Sequence, residues 1–445
     1  MTQRFPDGFI WGASTASYQI EGAANEDGRS ASIWDTFSHT PGKVQNGDTG
    51  DVACDHYHRY LEDIALMQRL GISAYRFSAA WPRILPQGTG ATNPIGFAFY
   101  DRLVDALLAA GITPWLCLYH WDLPQALQDR GGWQNRDIAD WYTDYALVVH
   151  RQLGDRVQHF VTFNEPNVFT LLGHALGLHA PGLTDREATL KAIHHVNLAH
   201  GQAAAALRAA DPDLELGIVN NVQPCVAATP SPEDQRAAER ADALWNRAFL
   251  DPQFLGRYPT LLEQELAPYL QADDLAMIHQ PLDFFGVNHY SRNYIVQDPA
   301  AVLGYAMAAV PPGAPVTGMG WEINPGVFRD TLVDIHRRYG PIPIYVTENG
   351  AGFEDQLDAD GLVDDRQRVQ FLRAYLSALG EAIAAGADVR GYLIWSLLDN
   401  FEWAYGYDKR FGLVYVDYQS LKRTPKDSFE YYRRVVEANA VVAAD

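Results

Sequence analysis

The chain has little cysteine and no long apolar segment. Its 3 cysteines among 445 residues, Cys54, Cys117 and Cys225, lie far apart, a pattern typical of reduced thiols and not of a disulfide framework or a Cys-x-x-Cys zinc site. No apolar stretch approaches the ~18 residues of a membrane span, and the start, MTQRFPDGFIWG, lacks the features of a signal peptide. We therefore expect a cytoplasmic protein with no membrane partner.

Basic residues are also outnumbered. The 34 lysines and arginines face 55 aspartates and glutamates, which gives a formal net charge of −21. This charge repels the phosphates of nucleic acids, so we expect no nucleic-acid partner. Core-forming residues are abundant, because 47% of the chain is hydrophobic, and this excludes disorder as the main state.

A unit of helix, glycine and strand recurs along the chain. Apolar residues at helical spacing fill residues 55–70, Gly71 ends that pattern, and a strand-like run follows. Further helices are predicted before Gly111 and at residues 138–153, 327–339 and 367–385. Strands are predicted at residues 9–13, 72–78, 112–119, 159–163, 214–220, 284–288, 342–347 and 391–396.

This alternation predicts an α/β protein with one closed (β/α)₈ barrel, the TIM-barrel fold, over residues 1–445. An open doubly wound sheet is disfavoured because residues 12–16 supply no Gly-x-Gly-x-x-Gly after the first strand. The strands start farther apart than the ~30 residues of a compact βα unit. We expect the surplus in long loops, such as residues 178–187, 291–325 and 397–422, that form a deep active-site pocket.

Two glutamates stand at strand ends, where such a barrel assembles its chemistry. Glu165 follows the fourth strand and Glu348 follows the seventh, so the two carboxyls would meet at the same mouth. Two carboxyls in one cleft can hydrolyse a glycosidic bond, one as proton donor and the other as attacking group. Either glutamate alone would more readily be interpreted as an ordinary surface or salt-bridged residue; their shared position favours the catalytic interpretation.

The other residues predicted near this mouth suit a neutral polyol. The hydroxyl-binding candidates are Gln19, His120, Asn164, Asn288 and Glu402, and the flat apolar faces are Trp121, Trp321, Trp395 and Trp403, some of which could be core residues. We expect no metal and no cofactor. The first strand is followed by Ser14 and Thr15 and not by a His-x-His pair, and we interpret the segment Cys54 to His58 as structural.

These motifs resemble family 1 of the glycoside hydrolases, the retaining β-glucosidases and β-galactosidases. The resemblance runs almost end to end. It rests on FPDGFIWG (5–12), ASYQIEG (16–22), YRFS (75–78), WPR (81–83), TFNEP (162–166), GVNHY (286–290), VTENG (346–350), WSLLDNFEW (395–403) and KRTPK (422–426).

The resemblance implies roles for the two glutamates. Glu165, in Asn-Glu-Pro, corresponds to the general acid/base, and Glu348, in Thr-Glu-Asn-Gly, corresponds to the nucleophile. The acid must stay protonated, whereas Glu348 should stay ionised beside the supporting Arg76 and the hydroxyl of Tyr290. A retaining mechanism predicts a carboxyl separation of about 5–5.5 Å.

The resemblance also implies how the sugar is held. Gln19, His120, Asn164, Glu402 and Trp403 correspond to the hydroxyl-binding set, with Asn164 at the 2-hydroxyl. The charge of Glu402 would repel a phosphate, so we expect an unphosphorylated substrate.

We expect a β-glucosidase that acts on small β-glycosides, either cello-oligosaccharides or aryl or alkyl β-glucosides; the sequence leaves its oligomeric state open. A preference for β-galactosides or β-fucosides, transglycosylation, and a catalytically silent sugar-binding barrel are alternatives. The aglycone region is expected near Trp321, Asn220, His174 and Phe411.

Overall fold

The computed structural model describes residues 3–444. The strands of this range are β1 (Ile10–Ser14), β2 (Ala74–Ser78), β3 (Thr113–Cys117), β4 (His159–Asn164), β5 (Glu215–Asn221), β6 (Cys225–Ala227), β7 (Phe284–Asn288), β8 (Asn293–Gln297), β9 (Tyr305–Ala308), β10 (Ile344–Glu348), β11 (Val389–Trp395), β12 (Val414–Val416) and β13 (Arg423–Pro425). The α-helices are α1 (Ser17–Ile20), α2 (Ile33–Ser38), α3 (His56–Leu70), α4 (Trp81–Ile84), α5 (Pro94–Ala109), α6 (Gln125–Gln128), α7 (Ile138–Leu153), α8 (Pro166–Thr170), α9 (Arg186–Ala210), α10 (Pro232–Asp242), α11 (Ala248–Leu255), α12 (Thr260–Leu266), α13 (Asp274–Ile278), α14 (Pro325–Tyr339), α15 (Arg366–Ala384) and α16 (Asp427–Ala438).

Eight strands close into a parallel barrel in the order β1-β2-β3-β4-β5-β7-β10-β11. The barrel closes at β1, where Gly12 is paired with Ala74 of β2 on one side and with Leu393 of β11 on the other. Each of the eight predicted strands is present within a few residues of its expected bounds. The predicted (β/α)₈ barrel is therefore confirmed.

The predicted glycine stop after α3 follows from backbone geometry. α3 ends at Leu70. The next residue, Gly71, has a left-handed φ of 78°, and its N–H donates to the carbonyls of Met67 and Gln68. This closing turn satisfies the last carbonyls of the helix and suits a residue without a Cβ. The following residues can then turn back into β2.

The inside of the barrel is filled below its mouth. Ala74, Trp115, Val161, Val219 and Phe284 come from five different strands and form one buried cluster. The Trp115 ring stacks on His159 at 4.3 Å and packs on Phe284 at 5.0 Å between ring centroids. Because this layer occupies the interior, a ligand has room at the C-terminal mouth, as expected for this architecture.

Two of the predicted loops contain short strands. Residues 291–325 include the antiparallel pair β8 and β9, and β6 joins β8 to complete a small sheet. Residues 397–422 include β12, which pairs with β13. These strands have three to five residues, so their apolar alternation is too short to be distinguished from loop sequence. No helix within residues 3–444 is long and apolar enough to cross a bilayer.

Candidate active site

A cavity of about 560 Å³ opens at the C-terminal ends of the barrel strands. Nine of the predicted residues line it, namely His120, Trp121, Glu165, Tyr290, Trp321, Glu348, Trp395, Glu402 and Trp403. Gln19, Arg76, Asn164 and Asn288 are fully buried and are not among its lining residues. The structure therefore brings the thirteen predicted residues into one region, nine at the surface of the cavity and four in the wall beside it.

Both glutamates lie where the barrel's strand pairing is irregular. The register between β4 and β5 shifts between Val161 and Asn164, just before Glu165. The register between β10 and β7 shifts between Val346 and Glu348. Such irregularities change the direction of a side chain. They aim the two carboxyls into the cavity instead of leaving them in the regular alternation of the strands.

Glu348 is the carboxyl that contacts a cation. Arg76 Nη1 donates to its Oε1 at 2.7 Å, and the hydroxyl of Tyr290 donates to its Oε2 at 2.8 Å. Burial raises the pKa of Glu348 above its ordinary value, and the Arg76 guanidinium opposes that rise. These are the two contacts expected from the sequence.

Glu165 has a different environment. Its Oε1 accepts two amide hydrogen bonds, from Asn288 Nδ2 at 2.8 Å and from Asn221 Nδ2 at 2.9 Å. Burial, together with the negative charge of Glu348, raises the pKa of Glu165 to about 8. A carboxyl with this pKa carries its proton at neutral pH and can donate it.

Asn164 links the groups around the two glutamates. Its Oδ1 accepts from Arg76 Nη2 at 2.5 Å and from Asn288 Nδ2 at 3.0 Å, so its Nδ2 faces His120 Nε2 at 2.9 Å. His120 must accept this hydrogen bond, which leaves its ring proton on Nδ1. Burial, with the nearby Arg76 charge, holds the pKa of His120 well below its ordinary value, in agreement with a neutral ring.

Three polar atoms of predicted residues in or beside the cavity wall are buried and have no protein partner within residues 3–444. They are Gln19 Oε1, His120 Nδ1 and Glu402 Oε2. Gln19 is held in place because its Nε2 donates to Asn400 Oδ1 and to the carbonyl of Phe401. A buried polar atom without a partner is unfavourable, so these atoms favour a ligand with hydroxyl groups.

The charge of Glu402 differs from the sequence-based argument. Burial, followed by the negative charges of Glu348 and Glu165, raises the pKa of Glu402 to about 8. A largely protonated Glu402 does not repel a phosphate by its charge at neutral pH. The raised pKa weakens the electrostatic reason given for an unphosphorylated substrate, which treated Glu402 as an ordinary ionised carboxylate.

The tryptophans both line the cavity and pack on one another. Trp121 and Trp403 stack with centroids 4.5 Å apart, and Trp34 packs on the other side of Trp403 at 4.6 Å. Trp395 belongs to a second apolar cluster with Tyr290 and Phe411, on which Trp321 packs. The rings are thus fixed before any ligand arrives.

The sequence analysis missed one part of the wall. Asn221, Gln223 and Trp245 line the cavity, whereas Asn220, which had been expected in the aglycone region, is absent from the lining and bonds to Gln253. His174 is buried and is also not among the lining residues. The alternation of β5 held the missing signal: Asn221 has the same phase as Val219, which points into the barrel.

Residues 54–58, with their thiol, carboxylate and two imidazoles, lie away from this cavity. His56 Nδ1 bonds to Asp63 Oδ2 at 2.7 Å, and Asp63 also accepts from Arg423. Across the part of the chain that the structure describes, no three His, Cys, Asp or Glu side chains are grouped so as to hold a metal ion.

The chain is similar to known proteins over nearly its whole length. The sequence profile of glycosyl hydrolase family 1 matches residues 1–441. The chain is 48% identical over 444 residues to β-glucosidase A of Acetivibrio thermocellus, covering 98% of each protein. It is 45% identical over 461 residues to a bifunctional β-D-glucosidase/β-D-fucosidase of Bifidobacterium breve, covering 98% of this chain and 99% of that protein. The solved family 1 β-glucosidase of Thermotoga maritima matches with a TM-score of 0.95 and 46% identity, over 99% of this chain and 100% of that one.

Proposed function

This chain belongs to glycosyl hydrolase family 1, and we propose from that membership how it acts. It is a retaining β-glucosidase that releases terminal, non-reducing β-D-glucosyl residues from small β-glycosides. The observation that carries the proposed roles is the pair of buried carboxyls in one cavity. Only Glu348 contacts a guanidinium, and Glu165 has a pKa raised to about 8.

In the first step Glu348 attacks the anomeric carbon. A bond forms between a Glu348 oxygen and that carbon while the bond from the carbon to the glycosidic oxygen breaks, and Glu165 gives its proton to the departing oxygen. The products are the free alcohol and a glucosyl ester on Glu348. Arg76 and Tyr290 stabilise the negative charge of Glu348 before it attacks.

In the second step water displaces the Glu348 carboxylate from the anomeric carbon. Esterification removes the charge of Glu348, which had raised the pKa of Glu165, so Glu165 is the ionised carboxylate at this stage. It accepts a proton from water as the water oxygen bonds to the anomeric carbon and the ester bond breaks. The sugar leaves with its original β configuration, and both carboxyls return to their starting states. An alcohol in place of water would give transglycosylation.

The glucosyl unit is bound by polar side chains that hydrogen-bond to its hydroxyls and by the flat faces of tryptophans. Gln19 Oε1, His120 Nδ1 and Glu402 Oε2 are the unpartnered atoms that sugar hydroxyls would satisfy. Asn164 Nδ2 has a second N–H for the 2-hydroxyl. Among the cavity's lining residues only the exposed Lys43 is a lysine or arginine, which supports an unphosphorylated sugar.

Hydrolysis of matched 4-nitrophenyl β-glycosides tests the substrate class. We expect the glucoside to be cleaved with the highest kcat/KM, and NMR during the reaction to detect β-glucose before mutarotation. A higher kcat/KM for the 6-phosphoglucoside, or α-glucose as the first product, would contradict the proposal. Cello-oligosaccharides should release glucose from the non-reducing end, and added alcohols should yield alkyl β-glucosides.

A second activity is proposed toward β-fucosides. The observation that favours it is the Bifidobacterium breve relative, whose name includes β-D-fucosidase activity. D-Fucose lacks the 6-hydroxyl and has an axial 4-hydroxyl, so both differences fall on the sugar face that the Gln19 and Glu402 side chains would contact. Parallel kinetics on 4-nitrophenyl β-fucoside and β-galactoside check it; no turnover of either sugar would limit the enzyme to glucosides.

We also propose the cytoplasm as its location. Cys54 and Cys117 are free and buried, and Cys225 is free and half-buried, as suits a reducing compartment. Fractionation of the source cells, with activity on the glucoside followed in each fraction, tests this location.

A further inference from the structure

Two hydrogen bonds to the same oxygen distinguish the two oxygens of Glu165. Oε1 accepts from Asn288 and from Asn221, and no protein group among residues 3–444 is bonded to Oε2. An oxygen that accepts two N–H bonds is disfavoured as the site of the carboxylic proton. The acid proton is therefore directed to Oε2.

Asn221 cannot reverse its amide. Its Oδ1 accepts from Gln223 Nε2 at 2.7 Å and from Trp245 Nε1 at 3.3 Å. An indole N–H can only donate, so the Asn221 oxygen must face it and the Asn221 nitrogen must face Glu165. The Asn221 carbonyl is also bonded, by Asn167 Nδ2 at 2.8 Å.

The two residues that orient Asn221 are themselves fixed. Trp245 lies in the π-helical turn Ala243–Arg247. The next residue, Asn246, accepts from the backbone N–H of Gln223 at 3.3 Å and donates to its carbonyl at 2.9 Å. π-Helical turns often occur at functional sites, because they displace side chains from the regular helical spacing.

We propose that Asn221, Gln223 and Trp245 are positioning residues for the acid/base step: together they keep the proton of Glu165 on Oε2, the oxygen that faces the glycosidic bond. This inference rests on the proposed function and adds residues to it. The proton passes from Oε2 to the glycosidic oxygen as the bond to the anomeric carbon breaks, and it returns from water in the second step. Gln223 and Trp245 act through Asn221.

Leaving-group dependence tests this role. We compare phenyl β-glucoside, whose phenolate needs a proton to leave, with 2,4-dinitrophenyl β-glucoside, whose phenolate leaves without one. The variants are Gln223→Met, Trp245→Phe and their combination, which removes both donors to Asn221 Oδ1. General acid catalysis is worth about 10²–10⁴-fold, so partial misalignment in the double variant should cost about 10-fold in kcat/KM on the phenyl glucoside and under about 2-fold on the dinitrophenyl glucoside.

The matched control is Gln253→Met. Gln253 also bonds an asparagine of β5, but its partner is Asn220, whose amide donates to Gln253 and not to the Glu165 carboxyl. This variant makes the same replacement in a buried amide and should leave the ratio of the two kcat/KM values unchanged. A merely structural or aglycone-binding role of Gln223 would lower kcat/KM for both substrates together, since both leaving groups are phenyl rings. That result would overturn the inference.

Asn221→Leu supplies a second readout. Glu348, Glu402, Arg76 and Tyr290 are the titratable groups around Glu165, and none of them is replaced. Loss of a donor to the charged form raises the pKa of the acid, so the upper limb of kcat/KM on phenyl glucoside should move up by about 1 pH unit. An unmoved limb contradicts the inference.

Glu165→Gln separates this inference from the proposed function. It should lose activity on the phenyl glucoside far more than on the dinitrophenyl glucoside. If it loses both equally, the acid role and the positioning role are overturned together. If it is selective while the Gln223 and Trp245 variants are not, only the positioning role is wrong.

Discussion

Three residues of the cavity, Trp121, Glu165 and Trp403, have a left-handed backbone, with φ of 80°, 50° and 48°. Such a conformation costs about 1–3 kcal/mol for a residue with a side chain. The packing around them offsets that cost: the indole N–H of Trp121 donates to the carbonyl of Asn164, and Trp403 lies between the rings of Trp34 and Trp121. The strain is located where the side chains must point into the cavity.

Replacement of Glu348, the proposed nucleophile, should stop turnover without unfolding the chain. Glu348→Ala is expected to lower kcat by about 10⁴-fold or more, since no other carboxyl can form the ester. Sodium azide should then restore cleavage of 2,4-dinitrophenyl β-glucoside and yield α-glucosyl azide, because the anion enters the space left by the carboxylate. Near-normal activity without azide would rule out Glu348 as the nucleophile.

The pH profile should depend on the two glutamates in opposite ways. The proposed first step needs Glu165 protonated and Glu348 ionised. Since the pKa of Glu165 is raised to about 8, kcat/KM should fall as the pH rises through that region, and it should fall at low pH as Glu348 gains a proton.

Two variants assign the upper limb of this profile. Glu165→Gln should remove it on the dinitrophenyl glucoside, whereas Glu402→Gln should keep it. A limb that persists in Glu165→Gln and disappears in Glu402→Gln would instead belong to Glu402, whose pKa is also raised to about 8.

At the level of elements, the loop after β11 is held by buried charges. Lys426 Nζ donates to Asp399 at 2.6 Å and to Asp355 at 2.5 Å, and Arg410 and Arg368 pair with the same two aspartates. Asp399 begins the segment that continues to Glu402 and Trp403. The ion pairs therefore fix the loop that supplies the inner end of the cavity.

Removing the central cation of this network should destabilise the protein strongly. Lys426→Met leaves two buried carboxylates short of a partner, and we expect a loss of about 3–5 kcal/mol in the free energy of unfolding, measured by urea denaturation. The control is Lys191→Met, which removes an exposed i,i+4 pair with Glu187 and should cost only about 0.3–0.5 kcal/mol. Equal losses in the two variants would contradict this account.

For the whole molecule, the two ends of the chain complete the same barrel. β1 pairs with β11, and the hydroxyl of Tyr432 in α16 donates to the carbonyls of Gly12 and Tyr392 across that junction. Neither end of the chain can detach without breaking the β1–β11 pairing that closes the barrel. We therefore propose that the chain is one domain, as its repeated units predict.

A single domain should unfold in one cooperative transition. Tryptophan fluorescence and far-UV circular dichroism are expected to give coincident urea curves, because the 11 tryptophans and the helices depend on the same closed sheet. Two separated transitions would show that part of the chain folds independently.

The sequence by itself determined the barrel, and it predicted which side chains meet at the barrel's mouth. The eight strands were readable because apolar runs and glycine stops repeat, and the two glutamates were readable because parallel strands of one barrel end at one mouth. These signals are local in the chain or follow from topology.

Only the tertiary structure decided the pKa shifts of the site and the part of the cavity wall that Asn221, Gln223 and Trp245 form. The raised pKa of Glu402 depends on burial beside two other carboxyls. The proposed role of Asn221 depends on the neighbouring Gln223 and on Trp245, which reaches Asn221 from a helical turn 24 residues along the chain. The short strands β6, β8 and β9 likewise exist because they pair with one another. Burial, pairing and charge proximity are properties of distances between segments far apart in the chain, and local residue patterns do not contain those distances.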